Sequence, residues 1–182
     1  MFRCLLIFIF LISTSITQAS DREKIIENLQ KIKNLKFKFE QNINGKIENG
    51  YCTIQYPKKI FCDYLQSNQK TLVSNGKSLV IKTKSSFYQY PLNKTPLNLI
   101  LDKKFLIKQI NNSDKKIIDN SYINYRIVEN DNEINVFFDN KTYNLIGWQT
   151  KDIYQNINVT YLFSIQVNQE IAKNLFKLPS QN

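Results

Sequence analysis

The chain has 182 residues and no histidine, only four glycines, four prolines and three cysteines. The missing histidine removes Ser-His-Asp and Cys-His nucleophile pairs, histidine-ligated zinc and the commonest general base. Four glycines leave no Gly-rich phosphate loop. There is also no nucleophile elbow and no metal-ligand spacing. Arginine is nearly absent as well, with three residues against 22 lysines. A net charge of +10 would normally point to nucleic acid or an anionic membrane. Lys-rich, Arg-poor surfaces are poorly suited to bidentate phosphate or base-edge recognition, and A/T-rich codon usage alone yields such a Lys-, Asn- and Ile-rich mixture. Nucleic acid is therefore not an expected partner. The length suits one domain able to bury roughly two-thirds of its unfolded surface without a metal.

What is present begins with a leader-like terminus. Arg3 precedes an apolar stretch from Leu5 to Ile12, and Thr17-Gln18-Ala19 ends on a small residue. This is the pattern of a cleavable signal peptide over residues 1–19, and the apolar block falls short of the ~20 residues of a membrane span. Cys4 lies before that block, so the chain is not expected to be lipidated itself. Cys52 and Cys62 remain, in an oxidising compartment. They lie across an expected hairpin around Pro57, so a disulfide within the hairpin is feasible. Two buried free thiols are the alternative.

Residues 20–182 read as one domain. Ser20-Asp21-Arg22-Glu23 is a capping box, and Ile25, Ile26, Leu29 and Ile32 continue at helical spacing, predicting a helix over 21–34. The period then drops to two. Leu35, Phe37, Phe39, Gln41 and Ile43 alternate with polar residues, a strand with one apolar face. Asn44-Gly45 is a hairpin dipeptide, with Asn49-Gly50 as a competitor, and Asn75-Gly76 is the clearest type I′ signal. Strands are expected near 51–56, 60–65, 70–74, 78–82 and 87–90. Thr95-Pro96 opens a short helix presenting Leu97, Ile100 and Leu101 on one face. Further strands are expected near 105–110, 121–129, 133–139, 142–150 and 156–167, with turns at Asn130-Asp131-Asn132 and Asp139-Asn140-Lys141. A last helical turn is expected after Asn168. About ten strands and two main helices make a mainly β fold, an antiparallel sheet large enough to curl. Its apolar face can be packed solid by the helices, or left partly open beneath them. Composition does not separate these.

A resemblance bears on that choice. Phe39-Glu40-Gln41, then Gly50-Tyr51-Cys52-Thr53-Ile54-Gln55-Tyr56-Pro57, Leu72-Val73-Ser74-Asn75-Gly76-Lys77-Ser78-Leu79 and Tyr90-Pro91-Leu92-Asn93-Lys94-Thr95-Pro96-Leu97 follow one another as in the LolA family. These are periplasmic carriers of outer-membrane lipoproteins, and the chain resembles their alphaproteobacterial-type members. Phe176-Lys177-Leu178-Pro179 is similar to the family's ending, and residues 108–170 match in strand rhythm only. The resemblance implies an unclosed antiparallel β-barrel of about eleven strands with α-helices as a lid, a non-enzymatic carrier needing no cofactor. It implies triacylated lipoproteins as cargo, an inner-membrane LolCDE-type transporter and a LolB-like acceptor as partners, and action as a monomer. Leu29, Leu97 and Ile100 match lid positions; Phe37, Phe39, Ile54 and Ile60 match inward-facing sheet positions. Cys62 falls where the family often has tryptophan, which implies a roomier cavity. Tyr56 replaces the arginine that in the family hydrogen-bonds lid backbone groups. A phenol offers one donor where a guanidinium offers five, so lid closure here is expected to differ. The competing readings are a periplasmic lipid- or lipoprotein-sensing domain on the same fold, and an unlipidated LolB-like acceptor.

Overall fold

The computed structural model describes residues 19–65, 68–129, 132–151 and 155–181. The expected leader lies outside these residues apart from Ala19, as do Asn130 and Asp131 of one expected turn. No helix among the described residues is long and apolar enough to cross a membrane.

The capping box forms: Ser20 Oγ accepts from the Glu23 amide at 3.3 Å, and the Glu23 carboxylate accepts from the Ser20 amide at 2.7 Å. Helix α1 (Asp21–Lys31) is three residues shorter than its apolar spacing predicts. It stops because Ile32 turns to an extended conformation and leads into β1 (Asn34–Ile43). Asn44 and Gly45 both have positive φ, 50° and 89°. That is the type I′ signature, whose twist matches the strands it joins. β2 (Lys46–Gln55) follows directly, so Asn49-Gly50 falls inside a strand. Gly50 serves a different need there. A Cβ at that position would lie 2.1 Å from the Asp63 carbonyl oxygen and 2.7 Å from the Phe39 ring.

Strands β3 (Lys59–Tyr64), β4 (Thr71–Asn75), β5 (Ser78–Lys82) and β6 (Phe87–Pro91) form a meander. The β4–β5 turn differs from expectation: only Gly76 among its residues has positive φ, the type II′ pattern rather than I′. Helix α2 (Leu97–Leu101) follows as expected. The stretch read as a strand at 105–110 is instead helix α3 (Lys103–Asn112). Its apolar run is too short for periodicity to decide, and two other features do. The Asp102 carboxylate accepts from the Phe105 amide at 3.1 Å, a cap at the first turn, and Leu106 and Ile110 bury one helical face. β7 (Lys115–Ile118), unforeseen, precedes β8 (Tyr122–Glu129), β9 (Asn132–Asp139), β10 (Leu145–Lys151) and β11 (Ile157–Val167). The segment after Asn168 contains only a turn at 173–176 in place of the expected helical turn.

All eleven strands join one antiparallel sheet in the order β6-β5-β4-β3-β2-β1-β11-β10-β9-β8-β7. The ends β6 and β7 do not meet, so the barrel is unclosed. Its concave side carries the core, where Leu35, Phe37, Phe39 and Ile54 lie with Ile134, Val136 and Phe138 beneath the helices. The end of β11 is fixed to the α1–β1 junction. Asn168 accepts from the Lys33 amide at 2.6 Å and donates to the Lys31 carbonyl, while Asn34 and Gln169 exchange two further bonds. The C-terminal segment then passes over the convex side. Lys59 lies over the Phe176 ring and Lys82 donates to the Ser180 carbonyl at 2.7 Å. Val73 and Val80, which pair with each other on that side, are accordingly buried.

At the far edge, the Lys115 ammonium bonds the Asp21 carboxylate, and the Tyr143 hydroxyl donates to it at 3.2 Å. The lysine hydrogen bond is the main reason the Asp21 carboxyl sits below its ordinary 3.8. A depressed carboxyl pKa stabilises the fold at neutral pH and loses that contribution as pH falls through the folded value. The thermal midpoint should therefore drop below about pH 4, and Asp21→Asn should be less stable at pH 7 but show a shallower acid drop. Thermal denaturation of both proteins between pH 3 and 7 measures this.

Candidate functional site

Beneath α2 the concave face is not filled. A hollow of about 190 Å³ remains between the lid and the sheet. Phe39, Ile60, Leu72, Leu79 and Trp148 form its apolar wall, and Thr95, Pro96 and Leu97 close it from the lid. The Phe39 ring meets Tyr64 edge-on at 4.9 Å, and Trp148 meets Phe37 at 6.2 Å, so the aromatic wall is braced from behind. Cys52 and Cys62 are disulfide-bonded and line the hollow. They are directly paired across β2 and β3 with Cα atoms 4.1 Å apart.

One end of the hollow is polar, lined by Gln41, Thr150, Lys151, Asn158 and Thr160, and Asn158 Oδ1 is buried there without a hydrogen-bond partner among the described residues. The Tyr64 hydroxyl donates to Gln41 Oε1 at 3.1 Å, and Gln41 Nε2 donates to Thr160 Oγ1 at 3.2 Å, a chain crossing three strands. Beyond it, the buried Glu48 carboxylate bonds Lys70 at 2.5 Å and Lys46 at 2.9 Å. Burial, reinforced by the Glu48 charge, pushes the Tyr64 phenol well above its ordinary pKa. It therefore stays protonated and keeps donating. No group of three or more potential metal ligands is clustered among the described residues.

The lid is tied at two places, once to the sheet and once to the end of α1. The Lys58 amide, in the β2–β3 turn, donates to the Leu101 carbonyl at 2.9 Å, and its ammonium lies 3.4 Å from the Asp102 carboxylate. Lys103, opening α3, donates to the Ile32 carbonyl at 2.7 Å and the Gln30 carbonyl at 3.2 Å. These are unsatisfied carbonyls at the end of α1, where a cation also complements the helix dipole. The Lys103 ammonium stands 5.7 Å over the Tyr56 ring. The Tyr56 hydroxyl is buried with no hydrogen-bond partner among the described residues, and burial raises its pKa. Tyr56 thus makes none of the lid hydrogen bonds expected of the arginine it replaces. Lys103 instead carries the ammonium that bonds the carbonyls at the end of α1.

Of the residues singled out from sequence, Phe39, Ile60, Cys62 and Leu97 lie on the hollow's wall. Leu29, Phe37, Ile54 and Ile100 lie in the packed core, and Tyr56 packs against it. Trp148, Tyr64, Leu72, Leu79 and Thr160 were not singled out. Leu72 and Leu79 were within reach, because the Asn75-Gly76 hairpin fixes the phase of its strands. Trp148 and Thr160 lie where only strand rhythm was readable.

A family model described as outer membrane lipoprotein carrier protein LolA matches residues 30–179. The chain belongs to the LolA family. No curated protein matches it. Among solved structures, an uncharacterized conserved protein from Thermus thermophilus has a TM-score of 0.51 at 5% identity, covering 90% of this chain and 96% of that one. A LolA superfamily protein from Nitrosomonas europaea has a TM-score of 0.45 at 6% identity, covering 88% and 99%. The Mycobacterium tuberculosis lipoprotein LppX has 0.44 at 8% identity, covering 84% and 95%. The open eleven-stranded sheet with a helical cover is the LolA-like fold.

Within this LolA-family lid, neighbouring side chains differ in kind. Leu97 is half-buried on the hollow, whereas Ile100 is fully buried. Ile100→Ala should cost about 2–5 kcal/mol, as for a packed core, and Leu97→Ala about 1 kcal/mol. Urea denaturation of the two variants separates the roles; equal losses would contradict the distinction.

Proposed function

We propose that the protein is a periplasmic carrier that holds the acyl chains of lipoproteins under its lid and moves them from the inner to the outer membrane. The observation that carries the reading is the apolar hollow beneath a separately tethered lid, in a chain of the LolA family. Acyl chains need such a shelter, because each methylene exposed to water costs about 0.8 kcal/mol. The wall offers apolar area and aromatic faces and no reactive cluster, which suits binding and not catalysis.

Size sets the next requirement. An apolar cavity of about 150 Å³ takes one benzene-sized ligand, so a hollow of about 190 Å³ takes a fraction of one acyl chain. Binding three chains requires the lid to swing away from the sheet. The Lys58 and Lys103 ties then act as the closure, with Lys103 taking the closing role that the family gives to arginine, from a different position. The cargo would be received from a LolCDE-type transporter and passed to a LolB-like acceptor, after export directed by residues 1–19. These roles follow the family.

Two measurements test the reading. In cells, depleting the protein should strand outer-membrane lipoproteins in the inner membrane, and normal sorting without it would refute the carrier role. In vitro, the purified protein should bind a fluorescent palmitoyl probe. Lys103→Met, which keeps the aliphatic stem but loses both carbonyl bonds, should release that probe severalfold faster in stopped-flow competition. Unchanged release would remove Lys103 from lid closure.

A further inference from the structure

The two free edges of the sheet are built differently. β7 reads Lys-Lys-Ile-Ile, and its first residue is bonded to α1 through Lys115 and Asp21. Charge and a covering element are the usual means of keeping an edge strand from pairing with another chain. β6, Phe-Tyr-Gln-Tyr-Pro, has neither among the described residues. It carries no charged residue, four of its five positions are exposed, and Tyr88 and Tyr90 are 51% and 43% accessible.

The backbone phase of that edge follows from its ends. The Thr83 amide donates to the Ser86 carbonyl at 2.8 Å, and the Leu92 amide donates to the Lys77 carbonyl at 2.9 Å. Antiparallel pairing alternates, so between those points Tyr88 and Tyr90 turn their amides and carbonyls towards β5. Phe87 and Gln89 turn theirs outwards. Pro91 closes the row and has no amide to offer. The open edge therefore presents two N–H groups and three carbonyls in strand geometry. Tyr88 and Tyr90 pair with Ile81 and Leu79 on the concave side.

Exposed lysines stand at the ends of this edge, whereas Lys70 is paired with the buried Glu48 and Lys82 bonds the Ser180 carbonyl. Between Asp63 and Asp102 the chain has no acidic residue and five lysines, Lys70, Lys77, Lys82, Lys84 and Lys94. Lys77 sits in the β4–β5 turn, Lys84 in the β5–β6 turn and Lys94 just after β6. A free strand edge selects an extended backbone, and the exposed Lys77, Lys84 and Lys94 at its ends select negative side chains on it. The structure assigns β6 as a docking edge for an extended, acidic segment of a partner polypeptide, added antiparallel or parallel as a twelfth strand. The inference does not rest on the acyl-carrier reading. A lipid surface would answer the lysines equally well but would make no use of the outward amides.

The probe is an N-acetylated octapeptide of alternating valine and glutamate, compared with alternating valine and lysine. The acidic peptide should bind the purified protein more tightly than the basic one, with affinity falling as salt rises. In amide hydrogen exchange it should newly protect Phe87 and Gln89, whereas Tyr88 and Tyr90 are protected without it. Gln89→Pro removes one outward donor and leaves the β5 pairing intact, a substitution edge strands accept. It should weaken binding about tenfold with little change in thermal midpoint. If that variant does not fold, the acidic peptide N-methylated at alternate residues supplies the same loss from the other side. Lys84→Glu should weaken the acidic peptide and not the basic one. Equal binding of both peptides, no change in Phe87 and Gln89 exchange, or retention by phosphatidylglycerol vesicles without peptide binding would each overturn the proposal.

Discussion

An eleven-stranded antiparallel sheet that curls without closing leaves an apolar hollow, and the short helices of the described residues do not fill it. Everything else in the molecule follows from that mismatch. The strands must supply a continuous apolar face, so inward positions along β1, β2 and β3 read Leu35, Phe37, Phe39, Ile54, Ile60 and Cys62. Close strand approach demands Gly50, whose missing side chain leaves room for Phe39 and the Asp63 carbonyl. The neighbouring β2–β3 pair is also covalently joined through Cys52 and Cys62. The residual space lies where α2 bridges the sheet, not at random in the core.

The helical cover is attached by few polar bonds, and they sit at helix ends. Lys58 meets the end of α2, Asp102 caps α3, and Lys103 takes the terminal carbonyls of α1. Helix ends carry unsatisfied groups by construction, so a lid of short helices provides many such points for tethering. A cation between α3 and α1 fastens the helices to each other; the Lys58 amide fastens them to the sheet. Tyr56 contributes a ring beneath Lys103 instead of donors of its own.

Much of this was legible in the residues, for identifiable reasons. Alternation along residues 35–43, the Asn44-Gly45 turn and the Ser20–Glu23 capping box are local signals that the fold keeps, whereas the equally local Asn75-Gly76 turn keeps its place but changes its type. The helix at Lys103–Asn112 was missed because Phe105-Leu106-Ile107 is too short an apolar run to have a period, and the deciding cap, Asp102, does not announce itself among other polar residues. β7 was hidden because its four residues gain their strand character from pairing with β8. For the site, phase was readable and depth was not. Phe37 and Phe39 share a face two residues apart, yet Phe39 lines the hollow while Phe37 braces Trp148 behind it. That difference is set by residues over a hundred positions away. Ile100 and Leu97 differ for the same reason.

The five-residue α2 is far below the length at which a helix is stable alone. It has no side-chain cap at its N-terminus, and Leu99, Ile100 and Leu101 hold it by burial. Lifting it would expose those side chains, a cost of several kcal/mol if water replaced the contacts. Acyl chains entering the hollow would replace them with contacts of the same chemical kind. On the carrier reading, opening is then an exchange of one apolar partner for another, and its net free energy is small in either direction. A solid core would make the closed form too stable to open, and a preformed wide cavity would hold acyl chains too tightly to pass them on. A hollow smaller than its ligand, under a lid held by burial and a few end-of-helix bonds, lies between those limits.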